Sequence, residues 1–284
     1  MSKPNEGARG IGVGAIDAWA QPALGGWRQD VPEVIRLFEK SSTAHLLDQG
    51  MSPEATVAEM NRAGVATLML AAWCRPGRWI CTNDQVAEYV RAFPERFMGV
   101  ATVDLSNPVA AVRELDRAVS KLGFKALRIV PWLWKLPPND RLYYPLYVKC
   151  IELGIPFCTQ VGHTGPLMPS ETGRPIPYLD EVALTFPDLR IVGGHIGYPW
   201  TDEMIGLAWK HDNVFIDTSA YLPRYYPPQL IQFMKTYGRD KVLFGSNFPQ
   251  LTLDRCMTQV RELGLPAEIE VKFLRDNARR VFGL

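Results

Sequence analysis

Residues 188–219, DLRIVGGHIGYPWTDEMIGLAWKHDNVFIDTS, hold two short apolar runs, Arg190–Ile196 and Val214–Ser219, separated by an amphipathic stretch of helical length. Such a unit places two strands side by side and parallel, with a helix covering one face of the sheet. The alternation continues in both directions. Upstream lie the runs Ile11–Ala18, Val65–Ala72, Phe97–Val103, Ala126–Pro131 and Pro156–Val161, and downstream lies Val242–Ser246, which makes eight runs. Helix punctuation falls between them: Ser52-Pro53 reads as an N-cap with proline in the first turn and Gly64 as the stop, and Leu122-Gly123, Leu153-Gly154 and Tyr237-Gly238 read as further ends. Eight strands alternating with helices predict an α/β fold, a single (β/α)8 TIM barrel spanning residues 1–284 as one domain. An open doubly wound sheet usually has fewer strands and often a glycine-rich turn after the first. Here Gly10-Ile11-Gly12 and Gly12-Val13-Gly14 precede the turn position and read as flexible entry, with no dinucleotide site.

The composition narrows the partners. Of 284 residues, 31 are basic and 30 acidic, for a formal charge of +1, so neither nucleic acid nor an anionic membrane surface is an expected partner. No run of about 18 apolar residues predicts a membrane span, and the opening MSKPNEGARG lacks the apolar core of a signal peptide. Five cysteines, Cys74, Cys81, Cys150, Cys158 and Cys256, include no C-x-x-C pair, and reduced thiols in a cytoplasmic protein are expected. Two long connections, Gln21–Gly50 and His163–Tyr178, follow the first and fifth strands, on the side where barrel enzymes build their sites. Nucleophile-elbow and phosphate-loop motifs are absent.

Three phrases carry a resemblance: Leu189-Arg-Ile-Val-Gly-Gly-His195-Ile-Gly-Tyr-Pro-Trp200, Val242-Leu-Phe-Gly-Ser-Asn247-Phe-Pro249 and Asp276-Asn-Ala-Arg-Arg-Val-Phe282, with Ile16-Asp17 opening the site. Over nearly its whole length the chain resembles the amidohydrolase superfamily, in the branch that includes aminocarboxymuconate-semialdehyde decarboxylase and related hydrolases. That resemblance implies a divalent metal held by His-x-His after strand one, a His on strand five, a His on strand six and an Asp on strand eight. In this chain those positions fall on Trp19-Ala20-Gln21, Gln160, His195 and Asn247, so only His195 keeps its type. Neutral amides are poor zinc donors, and the ordinary metal site is expected to be lost, leaving no metal and no cofactor. An irregular site at His163 and His195 is the competing possibility.

Trp19 and Gln21, two apart on a strand, point the same way, and Gln21, Gln160 and Asn247 are expected to ring His195 as uncharged hydrogen-bonding groups. His195 and His163 are the candidate acid–base pair; His45 falls in the first long loop, and His211 reads as structural. Arg128, inside strand four, requires a carboxylate partner, either Asp217 or a substrate, and Arg174 on the strand-five loop is a second anion-binding candidate. Trp19, Trp73, Trp132, Trp134 and Trp200 cluster near strand ends, which suits a flat or apolar ligand. The function read from these features is that of a hydrolase acting without metal on a small carboxylated cyclic or aromatic-derived compound. Decarboxylation or another carbon–carbon cleavage, and a catalytically silent barrel that binds a small molecule, are the alternatives. Homo-oligomerisation is compatible with the sequence.

Overall fold

The computed structural model describes residues 14–284. Its centre is an eight-stranded parallel sheet in sequence order: β1 (Ala15–Ala20), β2 (Val65–Ala71), β3 (Phe97–Ala101), β4 (Ala126–Ile129), β5 (Phe157–Gln160), β6 (Ile191–Gly194), β7 (Val214–Asp217) and β8 (Val242–Leu243). Each falls within, or at most two residues beyond, one of the eight runs read from the sequence. The sheet closes on itself because β1 also bonds to the segment leaving β8: Ala18 N–H donates to the Phe244 carbonyl at 2.9 Å, Asn247 N–H to Trp19 at 2.9 Å and Gln21 N–H to Phe248 at 3.0 Å. Sequential parallel pairing with this closure is a (β/α)8 barrel. The strands are buried on both faces, as covered parallel sheets require. Met69, Val100, Ala126, Cys158 and Val192 fill the interior together with Trp19, and a larger apolar layer packs between sheet and helices.

The helix ends follow local chemistry. Ser52 Oγ accepts from Ala55 N–H, Pro53 occupies the first turn and Gly64 leaves the helix at φ 76°, a left-handed conformation that favours glycine. The helix Pro228–Lys235 stops at Thr236, earlier than Tyr237-Gly238 suggested; Gly238 is small because a Cβ there would strike the Phe233 ring. In the first long loop, a 3-10 turn Pro32–Val34 runs into a helix Ile35–Lys40. An antiparallel hairpin after β2, Trp73–Arg75 against Arg78–Cys81, was not expected. The glycine pairs around residues 10–13 lie outside the described residues. Among the described residues no helix is long and apolar enough to cross a membrane.

One close approach sets the barrel mouth: a Cβ on Gly194, the last residue of β6, would lie 2.5 Å from the Trp19 ring. Gly194→Ala is therefore expected to destabilise by about 1–3 kcal/mol, as overpacking does, read as a lowered denaturant midpoint with unchanged slope; an unchanged midpoint would mean that Trp19 is free to move.

Candidate active site

The chain leaves β6 through His195 at φ 73° and Ile196 at φ 52°, and two other residues at the barrel mouth, Ala220 and Asn247, also have positive φ, at 65° and 71°. Non-glycine residues held there are strained, and such strain concentrates at functional sites. His195 Nδ1 lies 2.7 Å from Ser219 Oγ, and the Ser219 hydroxyl donates to Asp217 Oδ1, which also accepts Ser219 N–H at 3.0 Å. A hydroxyl has one proton. With that proton committed to Asp217, the serine oxygen accepts from His195 Nδ1–H, and the imidazole presents the Nε2 lone pair. Burial, the Arg128 charge and His163 push the His195 pKa down to about 3, so the ring is neutral at ordinary pH. Burial pushes the Asp217 carboxyl up to about 7. Its Oδ2 has no partner, so a proton resting there leaves Oδ1 free to accept from Ser219.

A second buried carboxylate mirrors the first. Asp17 Oδ1 accepts Trp19 N–H and Ser246 N–H, each at 3.0 Å, and Oδ2 accepts the Ser246 hydroxyl; burial raises this carboxyl to about 6. Both acids feel Arg128, which crosses the barrel from β4, donates to the Ala20 and Ala18 carbonyls at 3.1 and 3.3 Å, and stacks 3.9 Å from the Trp19 ring centroid. The expected Arg128 ion pair is thus replaced: carbonyl oxygens of β1 and an aromatic face satisfy the cation, and Arg128 is no part of the cavity lining.

That cavity, of about 220 Å³, opens at the C-terminal end of the strands and brings together six of the eight candidate residues, Trp19, Gln21, Gln160, His163, His195 and Asn247. Gln21 Nε2 donates to Asn247 Oδ1 at 3.3 Å, and Asn247 Nδ2 to Gln250 Oε1 at 2.6 Å. Gln160 turns aside, its Nε2 donating to the Val161, Gly162 and His163 carbonyls, so it holds the start of the loop that carries His163. The expected ring of amides is therefore a chain of three, with Gln160 separate. Exposed at the rim, His163 has its Nδ1 at 3.2 Å from both the Tyr198 carbonyl and the Tyr221 hydroxyl. Arg174 lies outside the lining and pairs with Glu203 at 2.9 Å. His45 is exposed away from the cavity, and His211 pairs with Asp180 at 2.7 Å on the far side.

Trp27, Phe38, Trp73 and Trp132 wall the cavity. Trp27 and Phe38 come from the first long loop, whose internal packing the sequence pattern does not reveal; Gln250 and Ser219 were missed because short polar side chains after a strand carry no periodic signal. The described cysteines are all buried and unbridged, and burial raises Cys74 and Cys158 to about 12, which leaves no thiolate nucleophile here.

The family model named Amidohydrolase matches residues 16–284. The chain belongs to the amidohydrolase family. A 2-keto-4-carboxy-3-hexenedioate hydratase from Sphingobium sp. is 30% identical over 197 residues, 58% of this chain and 56% of that protein, so the match spans little more than half of the hydratase. A gamma-resorcylate decarboxylase from Rhizobium radiobacter is 24% identical over 255 residues, 71% of this chain and 75% of that protein. An uncharacterized TIM-barrel protein from Bordetella bronchiseptica superposes with a TM-score of 0.81 at 24% identity, covering 95% of this chain and 98% of that one, which is a likeness of fold. Both of these named relatives, a hydratase and a decarboxylase, are enzymes.

The divalent metal that the family implies does not fit these residues. Around the cavity floor the donors are one imidazole and neutral amides, Trp19 fills the mouth of β1, and both nearby carboxylates are bonded to serines; among the described residues no three His, Cys, Asp or Glu side chains converge as a metal site would need. Protein purified without chelator is expected to carry well under one equivalent of zinc, manganese or iron by elemental analysis. One metal per chain, lost in His195→Asn, would overturn this.

Proposed function

We propose that this amidohydrolase-family enzyme hydrolyses a small cyclic compound without a metal, with His195 as general base. The observation that carries the reading is the line Asp217–Ser219–His195, which fixes the proton on Nδ1 and leaves Nε2 as an acceptor in the cavity. In the reaction, Nε2 takes a proton from water as the water oxygen bonds to a ring carbonyl carbon. The ring carbon–heteroatom bond then breaks, and the leaving atom takes the proton back from Nε2, so substrate and water sum to the opened product. Ser219, held by Asp217, accepts from Nδ1–H throughout and so keeps the imidazole in the orientation and tautomer the step needs. Negative charge developing on the carbonyl oxygen meets donors in the lining, the Gln250 amide and the Tyr221 hydroxyl, which burial keeps protonated.

Decarboxylation is the second reading, favoured by the likeness to gamma-resorcylate decarboxylase. It requires a proton delivered to carbon, and His195, with its Nδ1 proton committed to Ser219, offers the cavity a lone pair. It also requires a seat for a carboxylate, and Arg128 and Arg174, the two candidates for that task, both lie outside the cavity lining.

A screen of lactones, cyclic amides and carboxylated aromatics tests the proposal. Against whichever compound is turned over, His195→Asn is expected to lower kcat by about 10²-fold or more, the usual loss for a positioned acid or base, with little change in melting temperature. Near-normal turnover in that variant would remove His195 from the mechanism.

A further inference from the structure

Among the described residues, the lining of the cavity includes no Lys, Arg, Asp or Glu. Its imidazole at the floor, His195, has Nδ1 bonded to Ser219 and leaves Nε2 as an acceptor where a carboxylate would need a donor. The unpartnered buried polar atoms of lining residues are two acceptors, Gln21 Oε1 and Gln160 Oε1, and two neutral donors, the indole N–H groups of Trp27 and Trp73, so the wall offers hydrogen bonds of both kinds and no charge. Beneath the floor lie one guanidinium, Arg128, and two carboxyl groups, Asp17 and Asp217. The single positive charge lies beside two carboxyl groups of its own layer and is covered by the Trp19 ring, so it makes no direct contact with an occupant of the cavity. Taking a carboxylate out of water into such a site leaves it without a counter-ion, which is far more costly than burying a neutral polar group.

The volume sets the size of the occupant. A protein cavity of about 150 Å³ accommodates benzene, so about 220 Å³ takes one ring with a few substituents, between the indoles of Trp27, Trp73 and Trp132.

We propose that the ligand of this site is an uncharged single-ring compound, and that the cavity discriminates against the carboxylated rings that its relatives' names specify. This deepens the hydrolase reading, on whose site it rests, by naming the charge class of the substrate.

Equilibrium binding, followed by quenching of the cavity tryptophans at neutral pH, separates the two claims because it needs no turnover. The probes are matched pairs: resorcinol against 2,6-dihydroxybenzoate, benzamide against benzoate, and 3-hydroxybenzamide against 3-hydroxybenzoate. The neutral member of each pair is expected to bind at least about tenfold more tightly. Leu37→Arg, at a half-buried leucine of the cavity wall, supplies the missing cation and is expected to raise the affinity for each carboxylate about tenfold relative to its neutral partner. Carboxylates bound as tightly as their neutral partners by the parent protein would overturn the inference while leaving the role of His195 to its own kinetic test. So would the absence of binding by every neutral probe up to about 10 mM.

Discussion

One guanidinium and two carboxyl groups are buried together at the neck of this barrel, and the mouth above them is arranged by the need to satisfy that cluster. An unpaired charge in a protein interior is prohibitive, and ion pairs there repay desolvation only when the remaining hydrogen bonds are made. Arg128 meets this with two β1 carbonyls and the face of Trp19. Each carboxyl group meets it with the hydroxyl and backbone N–H of a serine, Ser246 for Asp17 and Ser219 for Asp217. The hydroxyl of Ser219 is thereby aimed downward, and its oxygen is left for His195. Tautomer and orientation of the imidazole follow from how a charge two residues away is satisfied.

The neutrality of the cavity has the same origin. Trp19, needed as a cover for Arg128, stands 5.0 Å from the His195 ring and closes the floor. With the cation beneath an indole and the amides of Gln21, Asn247 and Gln250 bonded in a chain, the groups facing a ligand are dipoles and aromatic faces. Dipoles held in place in a dry pocket stabilise developing charge without reorganising. A site of this type favours chemistry in which charge appears in the transition state over chemistry that begins with a bound anion.

The barrel was legible in the sequence because parallel strands buried on both faces read as short continuous apolar runs, and all eight did. The positions of Trp19, Gln21, His163, His195 and Asn247 were legible because residues that end a barrel strand face one mouth. Arg128 was read toward a carboxylate because spacing says that a side chain points inward and nothing about which acceptor it reaches; two backbone carbonyls took that place. Gln160 lines the cavity as read, but the nearest carbonyls of its own loop take its amide protons. The hairpin at Trp73–Cys81 and the wall residues Trp27 and Phe38 depend on how long loops fold back, which has no periodic signature.

The central claim, a neutral His195 with its proton on Nδ1 and a free Nε2, is tested most directly by long-range proton–nitrogen NMR of the imidazole. The account predicts nitrogen shifts of the Nδ1–H tautomer that stay constant from about pH 8 to about pH 5, because a folded pKa near 3 keeps the ring unprotonated across that range. A titration near pH 6.5, the value of an unperturbed histidine, or shifts of the Nε2–H tautomer, would contradict it.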